Sequence, residues 1–162
     1  MQQAGNYINI CYTMDISYGF DIIGYYGTLF QALIVLFVIH TNNNIVFIYT
    51  LCWLLSNLFN NLLKITIKQG RPPNQVHTDI EKICHNYGMP SYQMQCSAFS
   101  IAFLFYTTMS YRLLVVTSIL GGLSFHQRYK YRRHTFQQLV VGTIVGGILG
   151  WITYLIVKIL KV

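Results

Sequence analysis

The sequence predicts an all-α fold: an integral membrane bundle of about five transmembrane helices, with its functional loops on one membrane side. Three observations predict it. Hydrophobic residues make up 54% of the 162-residue chain and charged residues only 9%, far below the quarter typical of a soluble domain. Several charge-free runs are long enough to cross a bilayer core. The few ionisable side chains crowd into the segments between those runs. A soluble cytosolic enzyme is thereby excluded.

Residues 1–21 read as an N-terminal interfacial segment, because Ile8, Tyr12, Ile16 and Phe20 recur every fourth residue as on an amphipathic helix. The basic start of a cleavable signal peptide is missing there. Residues 22–162 form the transmembrane domain. Its first span is 22–39, ended by His40 and the polar turn Thr41-Asn42-Asn43-Asn44. The second, 45–63, carries Ser56, Asn57, Asn60 and Asn61, whose polar groups are costly against lipid and should face protein or a polar cavity. The third is 91–111. The fourth, 113–125, has only 13 residues and should be enclosed by the others. The fifth, 139–157, has Gly142, Gly146 and Gly150 at every fourth position, a smooth stripe for close helix packing.

The connections are unequal. Polar segments 64–90 and 126–134 fall on the same membrane side, because spans three and four go across and come back. Eight of the eleven cations lie there: Lys64, Lys68, Arg71, Lys82, Arg128, Lys130, Arg132 and Arg133. With a formal charge of +7 the partner should be anionic. A nucleic-acid binder spreads its cations over a solvated face, so no nucleic acid is expected, and a phosphorylated lipid in the bilayer suits the pattern. The four cysteines are scattered without CxxC pairing or nearby histidines at zinc-ligand spacing, so no metal or other cofactor is expected.

Three motifs carry chemistry. In KITIKQGRP, Lys64 projects from the last turn of the second helix, and Arg71, held extended by the prolines after it, can return toward the same point. In YGMPSYQMQ, Gly88 and Pro90 break the chain and Ser91 caps the third helix, leaving the amides of Ser91, Tyr92 and Gln93 as an anion site. In RYKYRRHTFQQ, His134 opens a helix with Gln138 one turn on, able to hold one ring nitrogen and leave the other free to attack.

Together these motifs resemble the type 2 phosphatidic acid phosphatase family, whose pattern is Lys-x6-Arg-Pro, then Pro-Ser-Gly-His or Pro-Ser-Ser-His, then Ser-Arg-x5-His-x3-Asp. YGMPS and HTFQQ are most similar to the dolichyldiphosphatase branch. The resemblance covers roughly residues 64–150. It implies that Lys64, Arg71, Ser91 and Arg128 bind phosphate, that His134 is the nucleophile forming a phosphohistidine, that Gln138 orients it, and that no metal takes part. Gln93 departs from the family. It stands where the leaving-group histidine belongs, and an amide cannot supply a proton. Gln127 replaces the serine before Arg128.

The function implied is hydrolysis of a polyprenyl, dolichyl-type diphosphate, whose leaving lipid phosphate is already a stable anion. His85 and His126 lie in the same two loops as substitute acids. The alternative is a catalytically impaired phosphatase-fold protein, structural or headgroup-binding, in a virion membrane. Richness in Asn, Ile and Tyr suits the AT-rich genome of a parasite or large virus. The resemblance otherwise places a multi-pass protein in the endoplasmic reticulum with a lumenal or external site. Loop cations outside the phosphate motifs, five against three, favour a cytosolic one.

Overall fold

The computed structural model describes residues 16–73 and 87–161. They form five helices: α1 Ile16–Ile39, α2 Asn43–Ile67, α3 Tyr92–Thr108, α4 Tyr111–Lys130 and α5 Phe136–Ile159. Residues 1–15, where most of the expected interfacial helix falls, lie outside the described residues. The first helix starts at Ile16, ahead of the apolar run, and carries Asp21 inside it.

The chain stops and starts where capping chemistry allows. Asn42 begins α2, its Oδ1 accepting from the N–H groups of Asn44 and Ile45 at 3.1 and 3.2 Å. Lys68 ends it in the left-handed conformation, with φ 52°, donating its N–H to Lys64 O. Ser110 caps α4. Thr135 and Gln138 form a reciprocal capping box at the start of α5.

The expected 13-residue fourth span is corrected to the 20 residues of α4. Polar residues after Phe125 end the apolar run, but they do not end the helix. Gln127 and Arg128 are buried, 5% exposed each, because α1 covers that face. Gln31 Nε2 donates to Thr117 O at 2.7 Å, Ser124 Oγ donates to Gly24 O at 2.8 Å, and Lys130 pairs with Asp21 at 2.7 Å. Arg128 therefore sits on a helix rather than in a loop.

Gly19–Ile39, Asn43–Ile67 and Phe136–Ile159 are each long and apolar enough to cross a membrane. Outward side chains such as Phe37, Phe47, Leu62 and Ile119 are 58–76% exposed, an apolar girdle that suits lipid and not water. The protein is a membrane protein. Helix α3, 17 residues long, is the central one, buried without a break from Met94 to Ser100.

That position answers the polar groups of α2. Asn60 Nδ2 donates to Gln95 Oε1 at 2.7 Å, Gln95 Nε2 donates to Ser56 O and Oγ at 2.8 and 2.9 Å, and Cys96 Sγ donates to Asn57 Oδ1 at 3.2 Å. Asn61 alone of the four is exposed.

The glycine stripe of α5 lies against the backbone of α3. A Cβ on Gly142 would stand 2.5 Å from Ser91 O, and Cβ atoms on Gly146 and Gly150 would overlap the carbonyls of Gln95 and Phe99. The apolar core, Val35, Ile39, Tyr49, Phe99, Phe103, Leu104 and Val157, fills the end formed by the C-termini of α1, α3 and α5. The opposite end, with the N-termini of those helices and the C-termini of α2 and α4, receives both polar connections.

Candidate active site

Every motif residue named from the sequence lies at that second end. Lys64 is in the last turn of α2 and 7% exposed; Arg128 is in the last turn of α4; His134 is 7% exposed just before α5. Arg71 follows α2 in extended chain and is half-buried. Gly88 N donates to Gln69 O at 2.8 Å, tying the segment around Arg71 to the one before Ser91.

His134 is fixed through one nitrogen. Nδ1 lies 2.9 Å from Gly88 O and 3.3 Å from Gln138 Oε1. Carbonyl oxygens only accept, so Nδ1 carries the hydrogen and Nε2 keeps its lone pair. The ring borders a cleft of about 550 Å³ lined also by Pro72, Pro73, Tyr129, Arg132 and Phe136. Burial pushes the imidazole down to about 3, with Arg71, Lys64 and Arg128 each lowering it further and the Gln138 hydrogen bond opposing them. All three cations therefore lie close enough to act on one ring, which stays neutral at physiological pH.

Gln138 joins the parts. Its Nε2 donates to Gly70 O at 2.8 Å and to Gln69 Oε1 at 3.3 Å, while Oε1 accepts from Thr135 N at 3.1 Å as well as from His134. An aspartate could accept in this way but could not donate. Gly88 has no room for a side chain, since a Cβ there would meet Gln138 Oε1 at 2.5 Å.

Ser91 is fully buried and begins α3, but its amide is not free as the sequence suggested. It donates to Gln138 O at 3.0 Å. Its Oγ caps nothing in α3 and has no hydrogen-bond partner among the described residues. An orphaned buried hydroxyl at this end of the bundle suits an anion's oxygen. Gln93, in the first turn of α3, turns its Nε2 toward Tyr25 O of α1 at 3.5 Å, and its buried Oε1 has no partner among the described residues. His126 is exposed beside Asp21, and His85 lies outside the described residues.

The structure adds two residues that sequence reasoning passed over. Arg133, read as a loop cation, is 3% exposed. Burial pushes its guanidinium down, Tyr25 raises it, and Arg71 lowers it, which places Arg133 on the same site. Tyr25 lies under Arg128, with Cζ 5.1 Å from the ring centroid. The signal for both was Asp21, an isolated acid at the start of an apolar run, which brings α1 to the basic end. Among the described residues no three His, Cys, Asp or Glu side chains converge as a metal site would require.

A crystal structure described as the first transmembrane PAP2 type phosphatidylglycerolphosphate phosphatase, from Bacillus subtilis, has a similar fold. The TM-score is 0.52 over 93% of this chain and 88% of that one, at 16% identity. None of the curated proteins matches the sequence. The family model of the PAP2 superfamily matches residues 45–161, which takes in α2 from its third residue, α3 to α5 and every motif residue around His134, and the chain belongs to that superfamily.

Proposed function

We propose that the chain is a lipid phosphate phosphatase that hydrolyses a polyprenyl, dolichyl-type diphosphate through a phosphohistidine on His134. The observation that carries this reading is the His134 ring, pinned through Nδ1 to Gly88 O at 2.9 Å, with Lys64, Arg71 and Arg128 close enough to hold its pKa down. Nε2 attacks the terminal phosphorus, forming a P–N bond as the bond to the leaving oxygen breaks. Water then cleaves the P–N bond and releases phosphate. The cations and Ser91 Oγ hold the phosphoryl oxygens through the transition state, where charge builds up. Gln138 keeps the ring in register, and no step calls for a metal.

Substrate class follows from Gln93 and from the segments YGMPS and HTFQQ, which support the dolichyldiphosphatase branch. An alkoxide leaving a monoester needs a proton, whereas a lipid monophosphate leaving a diphosphate is already a stable anion. General acid catalysis contributes about 10²–10⁴-fold, so a site with an amide at position 93 favours diphosphates by a large part of that factor. The substrate enters from the bilayer, in the endoplasmic reticulum for a dolichyl-type lipid.

Gln93 also favours a second reading, a catalytically impaired headgroup-binding component such as a virion membrane would use. Phosphate release from a panel of lipid phosphates and diphosphates, with His134→Ala as control, separates the two. Release from diphosphates that vanishes in His134→Ala supports the enzyme. Binding of vanadate without release from any lipid establishes the second reading.

A further inference from the structure

Tyr25 stands on α1, outside the stretch 45–161 that the family model covers, yet it is built into the site. Its ring lies beneath the Arg128 guanidinium at 5.1 Å, and its main-chain carbonyl accepts from Gln93 Nε2 at 3.5 Å. The helix is held there by the residues just before Tyr25. Ser124 Oγ donates to Gly24 O at 2.8 Å, and Asp21 accepts from Lys130 Nζ at 2.7 Å and from the Tyr131 hydroxyl at 2.8 Å. Gly24 leaves no room for a side chain, since a Cβ there would meet Leu123 O at 2.6 Å. The phenol also lies close enough to Arg133 to act on its guanidinium, so two arginines of the α4–α5 segment neighbour it.

We propose that the Tyr25 hydroxyl supplies the proton to the leaving oxygen, the role that Gln93 cannot fill. The proposal rests on reading His134 as the nucleophile. As Nε2 forms the P–N bond and the P–O bond breaks, the phenol O–H proton passes to the departing oxygen. The phenolate left behind faces Arg128 and Arg133. It then takes a proton from the water that cleaves the P–N bond, which returns Tyr25 to its starting state with atoms and charge balanced.

Other hydroxyls near the ring are engaged or open to solvent. The Tyr131 hydroxyl already donates to Asp21, the Thr135 hydroxyl serves the cap of α5, and Tyr129 is 55% exposed at the cleft rim. A phenol is a weaker acid than an imidazolium, about 10 against 6.5 in free peptides, so the preference for diphosphates survives.

The test is Tyr25→Phe in the full-length protein in detergent micelles, since phenylalanine keeps the ring under Arg128 and removes only the hydroxyl. Rates are measured on a long-chain lipid monophosphate and on p-nitrophenyl phosphate, whose leaving group departs without a proton. The ratio of the first rate to the second should fall about 10²-fold. Adding Gln93→His to Tyr25→Phe should restore it. A Tyr25→Phe variant with the wild-type ratio overturns the proposal and leaves the proposed function standing. Equal loss on both substrates, with weaker vanadate binding, shows that the hydroxyl only supports Arg128 and also overturns it. Should Tyr25→Phe fail to fold, Tyr25→His, which keeps a proton donor at that position, replaces it: a maintained ratio supports the proposal and a collapsed one overturns it. A wild type inert on both substrates and on diphosphates removes the proposed function, and the proton donor with it.

Discussion

Replacing Gly142 by alanine tests the link between helix packing and the phosphate site, because two effects of opposite sign compete at that position. Glycine to alanine inside a helix is worth about 1 kcal/mol in favour of the variant. Against it stands the approach of α3: a Cβ on Gly142 would lie 2.5 Å from Ser91 O and 3.2 Å from Ser91 N, whereas ordinary contacts begin at 3.4 Å. Ser91 must retreat by the difference, 3.4 less 2.5, or about 0.9 Å. A backbone carbonyl cannot rotate away as a side chain would, so overpacking of about 1–3 kcal/mol adds to strain on the hydrogen bond from Ser91 N to Gln138 O, now 3.0 Å. The net expectation is destabilisation by about 1–2 kcal/mol. Turnover should fall about 10²-fold, since a displacement near 1 Å at a residue proposed to hold the phosphate is enough for that. Gly147→Ala is the control, because nothing lies within 4 Å of a Cβ there; it should be neutral or stabilising by up to about 1 kcal/mol. Unfolding in mixed micelles, followed by Trp53 and Trp151 fluorescence, reads the stabilities, and phosphate release reads the turnover. Equal stability of the two variants would refute the α3–α5 spacing on which the site is built.

Gln93→His should raise hydrolysis of lipid monophosphates at least about tenfold and that of diphosphates much less, as read by phosphate release; equal gains on both would refute the leaving-group argument. Gln138→Glu removes the donor that serves Gly70 O at 2.8 Å and sets a carboxylate oxygen against that carbonyl, so stability should fall by about 1–3 kcal/mol; an unchanged melting transition would disprove the joining role. His134 is held down to about 3 in the folded protein against an ordinary histidine value of 6.5. The unfolded chain then takes up a proton that the folded one refuses, and stability should be lost as pH falls from 6.5 toward 3, at up to about 1.4 kcal/mol per pH unit. Unfolding midpoints between pH 7 and 4.5 check this, and His134→Asn should flatten the profile.

Much of the site was legible because it follows helix geometry. Ser56, Asn60 and Lys64 are four residues apart, so one face of α2 carries the polar groups toward α3 and delivers Lys64 to its end. The glycine stripe of α5 announced a close backbone neighbour, which α3 supplies. His134 and Gln138, one turn apart, meet as spacing requires. What escaped depends on contacts between distant segments. Ser91 was expected to offer a free amide, yet that amide is taken by Gln138 O, 47 residues on, and no local pattern records this. The end of α4 was hidden because Gln127 and Arg128 look like loop residues until α1 buries them. Arg133 looked like one more cation in a basic loop, and Tyr25 like one more aromatic in an apolar run.

These escapes share a cause, and it bears on how the site is held together. Placing Lys64, Arg71 and Arg128 near one neutral imidazole, with Arg133 close to Arg71, is unfavourable without an anion, so the bundle must force them together by packing elsewhere. The apolar cluster of Val35, Tyr49, Phe99, Phe103 and Val157 lies at the opposite end, where it can stabilise the helices without crowding the phosphate. At the charged end the joints are polar and specific: Gln138 to Gly70, His134 to Gly88, and Lys130 to Asp21. Each takes a group from one motif and fixes it to another element of the chain, so the motif residues keep their positions when no substrate neutralises them. The Asp21 joint differs from the others in that it recruits α1, outside the family match of 45–161. That helix closes the side of the site where Gln93 stands, its Tyr25 carbonyl accepting from Gln93 Nε2, and it brings the Tyr25 ring beneath Arg128, the placement on which the proposed proton transfer rests.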